Sequence, residues 1–116
     1  MTVATAEAHQ IPIPKASEFQ TIIAYAKPVL AGLCQDWLQQ PLNGSFVDFV
    51  QEKLEQLLEK GYFRYCGNYA NYVAFAIGSA AIRYEEGHHT ISDLDMKKWM
   101  EKDLRQENRW RKAQSF

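Results

Sequence analysis

The sequence predicts an all-α protein, a small four-helix bundle with a flexible N-terminal arm. Three observations predict it. Apolar residues recur three and four positions apart through four successive segments. Serines stand where segments begin and glycines where they end. The stretch with the most strand-like composition, YVAFAIG at 72–78, lies in a run too long and too rich in alanine for a strand. With 116 residues, 47% of them hydrophobic, the chain is expected to form one domain with a real core.

Residues 1–16 are small and polar and carry Pro12 and Pro14. The run IPIPK favours an extended course, because each proline fixes its own φ and pushes the preceding residue away from the helical region. Residues 1–16 are therefore expected to be a flexible arm. Ser17 with Gln20 reads as a capping box opening the first helix. Phe19, Ile22, Ile23, Ala26, Leu30, Leu33, Cys34 and Trp37 then make a core-facing stripe. Pro28 interrupts it and is expected to kink the helix or split it. Pro41, Asn43 and Gly44 mark the stop.

Ser45 opens the second helix, with Asp48 three residues on, and Gly61 is its expected left-handed stop. Residues 62–66 fit either a loop or a short helix. The third helix is expected from about 68 to 86, with Gly87 beyond it. It is apolar nearly all round, as the central helix of a bundle is. Ala70, Ala74 and Gly78 are small residues four apart, a spacing that lets a neighbouring helix come close. Ser92 caps the last helix, and Asp93 and Asp95 complement its positive first turn. Ile91 and Met96 occupy hydrophobic-staple positions. Met96, Trp99, Met100 and Leu104 can dock on the bundle. Beyond Leu104 the apolar face thins to Trp110, so the last turns are expected to project. The bundle is placed at 17–112 and a C-terminal tail at 113–116.

Charge has a direction only in this last helix. Residues 97–116 carry a net +4 and residues 1–96 a net −5. Lys98, Lys102, Arg105, Arg109 and Lys112 are spaced 4, 3, 4, 3, which puts all five on one helical face. From Lys98 to Lys112 that face is about 21 Å long, enough to follow several phosphates of one strand. Trp110 lies beside it, where it could stack on a base. These six residues are the candidate nucleic-acid-binding site. The competing reading is a solvated surface helix, with Glu101–Arg105 and Glu107–Arg111 as pairs within the helix. An acidic patch on another protein is a third possible ligand.

Other constellations carry less. Tyr62, Tyr65, Tyr69 and Tyr72 have helical spacing and form either a stacking surface or aromatic core. His88 and His89 are adjacent, and adjacent side chains do not converge on a metal. No nucleophile elbow, P-loop or dinucleotide-binding glycine pattern is present, so neither catalysis nor a cofactor or metal is expected. Cys34 and Cys66 lack a framework pattern and are expected to be thiols in a reducing, cytoplasmic setting. The start MTVATAEAHQ does not read as a secretory signal, and no membrane span is expected.

An all-helical domain at 17–112 with a basic face and no catalytic motif resembles the helical small-subunit family of CRISPR effector complexes. That resemblance implies a bundle that packs along a larger antiviral assembly and contacts RNA or DNA backbone without sequence preference. Lys98, Lys102, Arg105, Arg109 and Lys112 correspond to the family as a class of residue, not as matched positions. The expected partners are then other protein subunits or a second copy, together with single-stranded RNA or DNA. The alternatives are a protein-binding adaptor or inhibitor without nucleic acid, and a small enzyme built around Cys34, Cys66 and the histidines.

Overall fold

The computed structural model describes residues 10–40 and 44–114. It is an all-α bundle of four helices: α1 (Ala16–Leu38), α2 (Phe46–Glu59), α3 (Ala70–Glu85) and α4 (Asp93–Gln114). A 3₁₀ segment, Tyr62–Tyr69, joins α2 to α3. No strand occurs among the described residues. Residues 1–9 of the expected arm, Pro41 and Asn43 of the expected stop, and residues 115–116 of the expected tail lie outside the described residues. Residues 113–114 continue α4.

α3 is the central helix, packed against α1, α2, α4 and the 3₁₀ segment. Its core residues are Val73, Ala76, Ile77, Ala80 and Ala81, with the buried Ser79 among them. Around it close Ile22, Ala26 and Leu30 of α1, Val50 and Leu54 of α2, and Met96, Met100 and Leu104 of α4. Each large apolar side chain so buried contributes about 1.5–3 kcal/mol. The close approach to α3 is made over Ala76, Ala80 and Ala81, which are buried. Ala70, Ala74 and Gly78 are half-buried. A Cβ placed on Gly78 would meet nothing within 4 Å. Of the three small residues predicted to meet a neighbour, Ala70 and Ala74 pack at the edge of the core and Gly78 borders open space.

Helix starts follow local chemistry, with one departure. Ser45 accepts the Asp48 N–H at 3.2 Å and Ser92 accepts the Asp95 N–H at 3.1 Å, as their spacings predict. Ser17 does not cap α1. The helix begins two residues earlier, with Lys15 extended at the N-cap position expected for Ser17 (φ −75°, ψ 164°). Glu18 reaches back to accept the Lys15 N–H at 2.8 Å. A carboxylate in the first turn satisfies the orphan donor more strongly than the Gln20 amide would, and it also faces the positive end of the helix. Pro28 does not split α1, which runs unbroken to Leu38. Pro28 and Ala24 are both exposed, so the carbonyl that proline leaves unpaired faces water.

Gly61 takes the left-handed conformation (φ 72°) that stops α2. The next glycine, Gly67 (φ 57°, ψ −128°), breaks the 3₁₀ segment before α3 begins, which is why the third helix starts at Ala70 and not at 68. A Glu85 carboxylate from the end of α3 reaches the start of α2, where Val47 N–H donates to it at 3.4 Å.

Residues 10–15, expected as part of a flexible arm, are tied down. Asn108 of α4 clamps Ile11 with its side-chain amide: Oδ1 accepts the Ile11 N–H at 2.7 Å, and Nδ2 donates to the Ile11 carbonyl at 2.8 Å. The Tyr72 hydroxyl donates to the Pro12 carbonyl at 2.6 Å. Pro14 is buried, and Ile11 and Ile13 pack against the core.

Candidate nucleic-acid interface

α4 orders its side chains by a simple division. Met96, Met100 and Leu104, four apart, point into the core. Lys98, Lys102, Arg105, Arg109 and Lys112 occupy the opposite side, and all five are exposed. Asp93 and Asp95 in the first turn and Arg111 and Lys112 in the last complement the helix dipole, so the basic residues also favour the helix that carries them.

The five cations are not equivalent. Arg105 is held by Glu101 at 2.8 Å, and the neighbouring Arg111 by Glu107 at 3.0 Å. Both of the pairs expected from the sequence, Glu101–Arg105 and Glu107–Arg111, are therefore formed. Among the described residues Lys98, Lys102 and Arg109 make no ion pair. The carboxylates of α4 thus neutralise Arg105 and Arg111, while Lys98, Lys102 and Arg109 stay outside these pairs.

Trp110 is 59% exposed but does not stand on that face. Successive residues of a helix lie about 100° apart, and Trp110 falls in line with Trp99, Asp103 and Gln106 at spacing 4, 3, 4. That line faces α3. Asp103 accepts both guanidinium nitrogens of Arg83, with Nη2 at 2.9 Å from Oδ1 and Nη1 on Oδ2. Arg83 also donates to the Ser79 carbonyl at 3.2 Å and lies 5.9 Å from the centre of the Trp99 ring. The hydrogen-bonded Asp103 holds the Arg83 guanidinium more firmly charged than usual, against partial burial that acts the other way. Arg83 is thus committed to fixing α4 on α3 and is not available to a ligand. No sequence signal links Arg83 to Asp103, because the partners sit on different helices.

The expected thinning of the α4 core face beyond Leu104 does not leave the helix unsupported there. Asn108 takes over, through its clamp on Ile11. Sequence reasoning missed this residue because an asparagine inside a helix carries no apolar signal.

The tyrosines divide. Tyr62 and Tyr65 are 49% and 54% exposed. They pack edge to face with each other at 5.9 Å, and Tyr65 does the same with Tyr25 of α1 at 5.5 Å. Tyr69 and Tyr72 are half-buried and tied to Glu18 and Pro12. The four do not share one helical face, because the break at Gly67 separates the two pairs.

Cys34 and Cys66 are free thiols, and burial pushes both above the usual thiol range. That is the opposite of an activated nucleophile. His88 and His89 turn to different aromatic neighbours, Trp99 at 5.6 Å and Tyr84 at 4.4 Å. Among the described residues no three His, Cys, Asp or Glu side chains gather as a metal site. His9 lies outside those residues. No described helix is long and apolar enough to cross a membrane. No family model, curated protein or solved structure matches the chain.

Proposed function

We propose that the chain is a non-catalytic helical subunit of a multi-protein assembly that holds nucleic-acid backbone against the outer face of α4. The observation that carries this is the geometry of the five cations. They stand on the side of α4 opposite Met96, Met100 and Leu104, and Lys98, Lys102 and Arg109 among them make no ion pair among the described residues. A row of exposed cations along one helix is suited to phosphates at regular spacing, and it reads charge without reading bases. Membership of an antiviral assembly rests on the architectural resemblance to CRISPR small subunits, in which such a bundle contacts RNA or DNA. Trp110, a flank away, belongs to this contact only if the strand wraps around α4.

A gel-shift series on single-stranded RNA and DNA tests the proposal. The triple variant Lys98→Glu/Arg105→Glu/Arg109→Glu is expected to lose retention while keeping its helical spectrum. Retention unchanged in that variant would remove the basic face as the contact.

The second reading, an adaptor or inhibitor that binds protein alone, is favoured by one feature. The exposed Tyr62 and Tyr65, with the half-buried Tyr25 against Tyr65, form an aromatic patch of the type enriched at protein interfaces. Under that reading Tyr62→Ala/Tyr65→Ala abolishes association and the charge reversals leave it intact.

A further inference from the structure

The segment Ile11–Pro12–Ile13–Pro14 is held by a site with the features of peptide recognition. Asn108 satisfies both backbone groups of Ile11, the residue before the first proline, and Tyr72 satisfies the Pro12 carbonyl. The prolines bring no N–H that the groove must accommodate, and Pro14 is buried while both isoleucines pack on the core. Backbone pairing thus supplies affinity and alternating apolar side chains supply selectivity, as in other grooves that take extended proline-containing strands.

The attachment is lopsided. The hydrogen bonds from this segment to α3 and α4 all fall on residues 10–12, including Gln10 Nε2 to the Asn108 carbonyl at 3.2 Å. Near the body, Lys15 bonds to its own helix, donating to the Glu18 carboxylate and accepting from the Phe19 N–H. A non-helical stretch therefore crosses from α1 to a clamp on α4. Exchange of such a segment between two copies recreates every contact it makes in one.

We propose that residues 10–14 are a detachable strap, and that the groove of Asn108 and Tyr72 is a recognition site for the same strand carried by a second copy of the chain. The tether favours the chain's own strap, because it acts as an intramolecular ligand at millimolar effective concentration. Exchange dominates when that strap is weakened. Released, the strap also uncovers the edge of α4 beside Arg105 and Lys112, which lie three residues before and four after Asn108.

Two full-length variants test this by complementation. Ile11→Asp/Ile13→Asp has an intact groove and a defective strap. Asn108→Ala/Tyr72→Phe has an intact strap and a defective groove. In analytical ultracentrifugation each is expected to sediment as a monomer alone, and the mixture to form a 1:1 heterodimer. A mixture that stays monomeric overturns the proposal, as does equal association of either variant with itself. Hydrogen exchange of the unaltered chain supplies a test that needs no variant to fold. The Ile11 amide is expected to exchange at least about tenfold faster than that of Ile77, through an opening short of global unfolding. A single shared rate for both amides overturns the strap.

Discussion

Arg83 and Asp103 come from different helices and meet in a two-bond contact whose side chains are only 13% and 20% exposed. A carboxylate left there without its partner has lost most of its water and gained nothing in return. Arg83→Ala is therefore expected to lower unfolding free energy by about 2–4 kcal/mol, read from the denaturant midpoint. The same substitution at the surface pair, Arg105→Ala, is expected to cost about 0.5 kcal/mol or less. Glu85 makes a prediction in pH. The Ser45 side chain and the Val47 and Phe46 amides lower its carboxyl below the usual range. A lowered folded value means stability that is present above the unfolded pKa of about 4.3. That stability is lost as pH falls through the folded value. Glu85→Gln is expected to be less stable than the parent chain at pH 7, with the difference closing in acid. A gap that persists unchanged at pH 2 would contradict the role.

The helices test capping and proline separately. Ser92 accepts an orphan amide of α4 and Ser17 accepts none, lying one residue inside α1. Ser92→Ala is expected to cost about 1 kcal/mol and Ser17→Ala no more than a few tenths, in matched urea titrations. Pro28→Ala restores an N–H to the exposed Ala24 carbonyl. It is expected to raise stability by about 1–3 kcal/mol, because α1 already runs unbroken past this position.

These elements also show what was legible in the sequence. The existence and order of the four helices follow from apolar periodicity, and the starts of α2 and α4 from their serines, because both signals are local. Lys15 and Glu18 displaced the Ser17 box because two capping solutions were available two residues apart. Pro28 was absorbed because the carbonyl it abandons faces water. The cationic face of α4 was legible from spacing alone. Its pairing was half legible: Glu101–Arg105 and Glu107–Arg111 lie one turn apart, whereas Arg83–Asp103 and Asn108–Ile11 join residues that only the fold brings together. The tyrosines divide into an exposed and a half-buried pair because Gly67 interrupts the helical register of their spacing.

At the scale of the molecule, the charge split acquires a geometry. The acidic excess belongs to residues 1–96 and the basic excess to α4, which shows its cations outward and its apolar side inward. Such a rod attracts polyanions over a distance set by salt, about 8–10 Å at physiological ionic strength. The central claim is that this face holds nucleic-acid backbone. Its most direct test is the affinity for a single-stranded oligonucleotide of fixed length as salt rises from 50 to 300 mM. Contacts to about three to five phosphates predict a slope of about −2 to −3.5 in a plot of log affinity against log salt. Reversing Lys98, Lys102 and Arg109 is expected to flatten that slope and abolish binding at the upper end. A chain that binds no strand at 50 mM, or whose slope is unchanged by the three reversals, contradicts the account.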